Sequence, residues 1–99
     1  MAGVKVAVVG LGKIGLPLAA QFASKGATVV GCDVDEGLVG AINAGECPVA
    51  GEPGLAARLE TARSANLFRA TIDTAAAVFE SDVTVVIVPV GIDSQNRTD

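Results

Sequence analysis

The sequence predicts an α/β fold built on a parallel sheet, and two observations carry that expectation. Short apolar runs rich in β-branched residues alternate with segments of helical spacing, and the runs are apolar almost throughout, as strands buried on both faces of a parallel sheet are. The first run, Val4-Lys5-Val6-Ala7-Val8-Val9, ends at Gly10. Helical spacing starts at Ile14, with Ile14, Leu18 and Phe22 on one face, and closes at Lys25 and Gly26. Pro17 fits there because the first turn's N–H groups have no intrahelical acceptor, so a missing donor removes no bond.

A second strand over residues 27–32 runs into Asp33. Asp35 is placed to cap a helix that carries Leu38 and Ile42 and ends at Gly45, with Gly37 and Gly40 lowering its intrinsic stability. Pro48, Gly51, Pro53 and Gly54 mark residues 46–54 as a loop. A helix is expected over 55–63, a short third strand over 67–70, an Ala-rich helix capped by Asp73 and running through Phe79, and a fourth strand over 83–88. The order β-α-β-α-α-β-α-β calls for right-handed crossovers.

Gly10-Leu11-Gly12-Lys13-Ile14-Gly15 is a GxGxxG sequence between a buried strand and a helix, and Asp33 stands eighteen residues beyond its last glycine at the end of the second strand. That is the context in which such a turn binds a dinucleotide. Gly10 makes the tight turn, Gly12 admits a pyrophosphate to backbone N–H groups, and Gly15 lets helix and strand pack closely. The helix N-terminus holds the anion through free N–H groups and the positive end of its dipole. Asp33 would accept hydrogen bonds from the adenosine ribose hydroxyls. With Asp35 and Glu36 beside it and no arginine, a 2′-phosphate is disfavoured, so the cofactor read from the sequence is NAD, not NADP. The candidate cofactor-binding residues are Gly10, Leu11, Gly12, Lys13, Ile14, Gly15, Asp33 and Val34, joined by Pro89 and Val90 after the fourth strand. The fold class is therefore a partial Rossmann arrangement, a doubly wound parallel sheet with about four strands in order 3-2-1-4.

Composition bounds the alternatives. Ninety-nine residues allow one small domain, and 51% apolar against 18% charged residues supports a packed core instead of disorder. A net charge of −4 and the near absence of aromatic residues argue against nucleic acid as a partner. Histidine is missing, which removes the commonest general base and metal ligand. Cys32 and Cys47 form no CxxC pair and fit a reduced, cytoplasmic protein without disulfide or zinc. Neither has a base nearby in sequence, so neither is a candidate nucleophile. The longest uncharged stretch, residues 14–24, is too short to span a bilayer, and no membrane partner is expected.

The wording Val9-Gly10-Leu11-Gly12-Lys13-Ile14-Gly15-Leu16-Pro17-Leu18-Ala19 resembles the nucleotide-sugar dehydrogenases that oxidise UDP-glucose, UDP-N-acetylmannosamine and GDP-mannose, with Gly15-Leu16-Pro17 as the distinguishing part. Asp33-Val34-Asp35, Ile42-Asn43-Ala44-Gly45 and Glu52-Pro53-Gly54-Leu55 agree with it, so the resemblance runs over nearly the whole chain. It implies oxidation of a sugar's C6 alcohol to the carboxylate with reduction of two NAD. It also implies that the thiol, lysine, asparagine and aspartate of that chemistry lie downstream, so no catalytic or metal-binding residue is assigned here. Family members often carry an aromatic residue where Lys13 stands and a Thr-Pro where this chain has Val90-Gly91, so a hydroxyl contact to NAD does not transfer to Val90.

Two other readings compete: the N-terminal part of a β-hydroxyacid dehydrogenase, against which Glu52-Pro53-Gly54-Leu55 argues, and a nucleotide-sensing Rossmann module without chemistry, which would pass almost directly from the second helix to the third strand. The 99 residues are expected to be the N-terminal part of a dinucleotide-binding domain, without its remaining strands, central helix and substrate domain. Such a chain would bind the ADP half of NAD weakly, meet a UDP-sugar only within an intact parent enzyme, and self-associate through the open fourth strand.

Overall fold

A computed structural model describes residues 3–47 and 54–87. Its elements are β1 (Lys5–Val9), α1 (Gly15–Ser24), β2 (Thr28–Cys32), α2 (Glu36–Asn43), α3 (Leu55–Ser64), β3 (Phe68–Thr71), α4 (Thr74–Glu80) and β4 (Val83–Val86). The four strands form one parallel sheet in the order β3-β2-β1-β4, so the predicted fold class and strand order are those observed. Val6 lies opposite Val29 on β2 and Val83 on β4, which puts β1 at the centre of the sheet, and Val6, Ala7 and Val8 are buried.

The alternation of side chains along the strands divides the core into two layers. Val6, Val8, Val29, Phe68 and Ala70 face α1, α2 and α3, whose Leu16, Val39, Ile42, Leu55 and Leu59 complete the larger layer. Ala7, Val30 and Cys32 face the other way and meet Ala77 of α4. This second layer is thin, and Val78 and Phe79 on α4 stay exposed, Phe79 to 92%.

Helix α1 differs from its sequence reading in the face it buries. Leu16, Ala19, Ala20 and Ala23 point into the core, Leu18 and Phe22 are half-buried, and Ile14 is 66% exposed. Apolar size at i, i+4 and i+8 singled out Ile14, Leu18 and Phe22, but a helix lying close on a sheet needs small residues at the contact, and the alanines supply them. Pro17 sits in the first turn. In α2 the buried pair is Val39 and Ile42, with Leu38 half-buried. The helix starts as expected, with Asp35 Oδ1 accepting the Leu38 N–H at 3.1 Å, and Asp73 caps α4 in the same way through the Ala76 N–H at 3.1 Å.

The outer side of β3 is closed by a side chain. Asn43, on the last turn of α2, donates from Nδ2 to the Ala70 carbonyl at 2.8 Å and accepts the Ala70 N–H on Oδ1 at 3.0 Å. Its amide stands where a further strand would pair. β4, at the opposite end of the described sheet, exposes Val83 and Val86 instead.

Candidate functional site

In a parallel sheet the strand C-termini all open at one end, and ligands bind in the crevice where adjacent connections diverge to opposite faces. Here β1 leads to α1 on one face and β4 borders β1 on the other side. At that end lies a cavity of about 580 Å³, walled by the C-terminal ends of β1, β2 and β4 at Val9, Cys32 and Ile87, by residues 10–15, by Asp33 and Val34, and by Thr74 at the start of α4. All eight described candidate residues therefore line one cavity. Pro89 and Val90, and the Glu52-Pro53 pair, lie outside the described residues.

The three glycines meet different surroundings. Gly10 has φ +105°, a conformation that L side chains rarely adopt, and its N–H donates to Cys32 O at 2.8 Å. At Gly15 a Cβ would lie 1.7 Å from the Gly10 carbonyl oxygen, so helix and turn approach each other as only glycine permits. At Gly12 a Cβ would meet no protein atom within 4 Å. The fold gives no steric reason for glycine there, and the space belongs to the cavity.

Leu16 N–H donates to Gly12 O at 3.1 Å, so the intrahelical ladder begins at Gly12 and the N–H groups of Lys13, Ile14 and Gly15 fall in the opening turn, where no acceptor exists within the helix. Helices α2 and α4 answer this need with aspartate caps, but α1, like α3, has no side-chain cap and no acid in its first turn, and of these two it is α1 whose start lines the cavity. Its donors remain available to an anion in the cavity.

Asp33 sits across from that turn, with Oδ2 accepting the Leu11 N–H at 2.9 Å and Oδ1 the Asp35 N–H at 3.1 Å. Lys13 is exposed at the rim, and Val34, 88% exposed, flanks Asp33. The Leu11 side chain is fully buried, so what this residue offers the site is backbone. Cys32 is buried in the wall, and burial pushes its thiol pKa up, with Arg69 opposing. Such a thiol is a poor nucleophile. The sequence reading omitted Val9, Cys32, Thr74 and Ile87 from the site. Three of them stand at strand C-termini, and that position in a parallel sheet is the signal that marks them.

The site's family follows from its likeness to known proteins. Residues 4–99 match the NAD binding domain of the UDP-glucose/GDP-mannose dehydrogenase family. UDP-N-acetyl-D-mannosamine dehydrogenase of Escherichia coli K12 is 36% identical over 94 residues, which cover 95% of this chain and 21% of that protein. The crystal structure of GDP-mannose dehydrogenase from Pseudomonas aeruginosa superposes with a TM-score of 0.87 at 32% identity, over 95% of this chain and 21% of the other. A UDP-glucose dehydrogenase from Pyrobaculum islandicum superposes with a TM-score of 0.80 at 34% identity, over 86% of this chain and 19% of that one. The chain thus spans about a fifth of the length of these relatives. It belongs to the UDP-glucose/GDP-mannose dehydrogenase family, a family of NAD-dependent dehydrogenases, through its NAD-binding domain, and NAD is its cofactor.

Proposed function

We propose that this chain is the cofactor-holding part of a nucleotide-sugar dehydrogenase, and that the 99 residues alone hold the ADP half of NAD without turning over a substrate. The observation that carries this reading is the uncapped start of α1 facing a carboxylate across one cavity. An adenosine diphosphate presents an anion and a diol, and the cavity offers donors for the first and acceptors for the second.

In this reading the N–H groups of Gly12, Lys13, Ile14 and Gly15 hold the pyrophosphate, helped by the positive end of α1. Gly12 leaves the room, and the remaining lone pairs of Asp33 take the ribose hydroxyls. Val34 and Ile14 supply apolar surface at the mouth. Bound NAD supplies the hydride acceptor, and two equivalents take the four electrons that separate a C6 alcohol from its carboxylate. The protein groups that would act on the sugar belong to the parent enzyme beyond these residues, as do the contacts that choose the nucleotide sugar. A cytoplasmic setting fits Cys32 and Cys47, which form no disulfide with each other.

Titrating the purified chain with NAD, followed by amide NMR, is expected to shift residues 10–15 and 33–34. Incubation with NAD and a panel of UDP-sugars and GDP-mannose is expected to give no rise in NADH absorbance. Absence of any shift at these residues refutes cofactor binding, and sustained NADH formation refutes the claim that the chain alone is inactive.

A further inference from the structure

A carboxylate offers about four acceptor positions on its two oxygens. In Asp33 each oxygen already takes one backbone N–H, Leu11 on Oδ2 and Asp35 on Oδ1. One position is left on each, which is what a vicinal diol with two hydroxyl donors requires. The carboxylate is thus oriented before a ligand arrives. The Leu11 bond also reaches into the glycine turn, twenty-two residues away in sequence.

The same turn is tied to β2 at two more points. The Gly10 N–H donates to Cys32 O, and the buried Leu11 side chain lies over Gly31, where a Cβ would come within 2.6 Å of Leu11 Cδ2. Among the described residues Asp33 is the side chain that hydrogen-bonds this turn. It joins the acceptor of the ribose to the backbone that presents donors to the pyrophosphate.

We infer that Asp33 is a positioning residue for the glycine turn as well as a ribose acceptor: through the Leu11 N–H it aligns the phosphate-binding donors of residues 12–15. This rests on the cofactor reading above, but it makes a claim that ribose recognition alone does not. Loss of the carboxylate must weaken a ligand that has the diphosphate and no diol. Simple charge argues the opposite way, since removing a negative charge beside a diphosphate should tighten it.

The test uses the full 99-residue chain and its Asp33→Ala variant, titrated with ADP and with 2′,3′-dideoxy-ADP, together with amide hydrogen exchange in the ligand-free state. The inference expects Asp33→Ala, which leaves the Leu11 N–H without its acceptor, to bind dideoxy-ADP at least about fivefold more weakly and to exchange the Leu11 amide at least about tenfold faster, the scale of a hydrogen bond to a charged group. Val6 and Val8 amides should keep their protection. Dideoxy-ADP bound as well or better, or a Leu11 amide that exchanges as in the wild type, overturns it, and Asp33 then acts on the ribose alone. Should the variant lose protection in β1 as well, the wild type decides: a through-bond coupling between the Leu11 amide nitrogen and the Asp33 carboxylate carbon supports the inference, and its absence overturns it. A wild type that binds neither nucleotide refutes the cofactor reading, while Leu11 exchange still decides whether Asp33 holds the turn.

Discussion

Gly12 and Gly15 belong to one fingerprint, yet the structure assigns them opposite liabilities. An alanine Cβ at Gly15 would stand 1.7 Å from Gly10 O, where ordinary van der Waals contact begins near 3.4 Å. The obstacle is backbone, held by the Gly10 N–H bond to Cys32 O, so no side-chain rotation relieves it. Overpacking of this kind costs about 1–3 kcal/mol, and a clash this deep belongs at the upper end. Alanine's better helix propensity returns at most about 1 kcal/mol. The net loss for Gly15→Ala is about 2 kcal/mol, from a total of roughly 5–15 kcal/mol for a small domain. That corresponds to a fall in Tm of about 8–16 °C. Gly12→Ala meets no protein atom and should leave stability within about 0.5 kcal/mol of wild type, yet it puts a methyl group where the pyrophosphate would sit. Since the chain lacks Trp and Tyr, the assay is thermal unfolding by far-ultraviolet circular dichroism, paired with NMR titration of NAD. A Gly12→Ala variant that melts as low as Gly15→Ala, or that binds NAD as the wild type does, refutes this division of roles.

Three further outcomes are expected. Asn43→Ala removes both hydrogen bonds to Ala70 and should cost about 1–2 kcal/mol, while opening the β3 edge to pairing, so both a lower Tm and a rise in scattered light are expected. Cys32 has its pKa raised by burial, so the unfolded chain ionises first; its contribution is intact below the ordinary thiol pKa of about 9 and is lost as pH rises beyond it, and melting curves should show a smaller drop between pH 8 and 10 in Cys32→Ala than in wild type. The exposed Val83 and Val86 on β4 should drive self-association of the wild-type chain, and a concentration-independent monomer mass in light scattering would refute that.

The sequence revealed those features that depend on neighbours in the chain. Asp35 and Asp73 each precede an apolar helical run, and a cap needs only the next three residues. The strands are short apolar runs between turn residues, so their parallel order followed from the connections. What it hid depends on partners far along the chain. Leu11 occupies a variable slot of the fingerprint, and only Gly31, twenty residues on, explains why its side chain turns into the core. Asn43 looked like part of a family motif, but its work as a substitute strand neighbour needs Ala70 beside it. In α1 the large residues Ile14, Leu18 and Phe22 suggested one face, while packing against the sheet, which periodicity does not encode, buries Leu16 and three alanines.

The missing cap of α1 points to a conflict between stability and binding. A cap contributes about 1 kcal/mol, yet a carboxylate there would occupy the donors that an anion needs and repel the anion as well. Ile14 tests this directly, because it lies in the opening turn at the cavity and is exposed enough to change without disturbing the core. A negative charge near a helix N-terminus stabilises by about 0.3–1 kcal/mol, and a positive one destabilises by a similar amount. Ile14→Glu should therefore raise Tm by a few degrees and weaken NAD, and Ile14→Lys should lower Tm and tighten it, with Ile14→Gln between them. Melting curves and titrations at low salt, where charge effects are largest, give both quantities for each variant. If α1 is left uncapped for the cofactor's sake, the two quantities must move in opposite directions across the series. Stability and affinity that rise and fall together would show that the open N-terminus of α1 is not where the pyrophosphate is held.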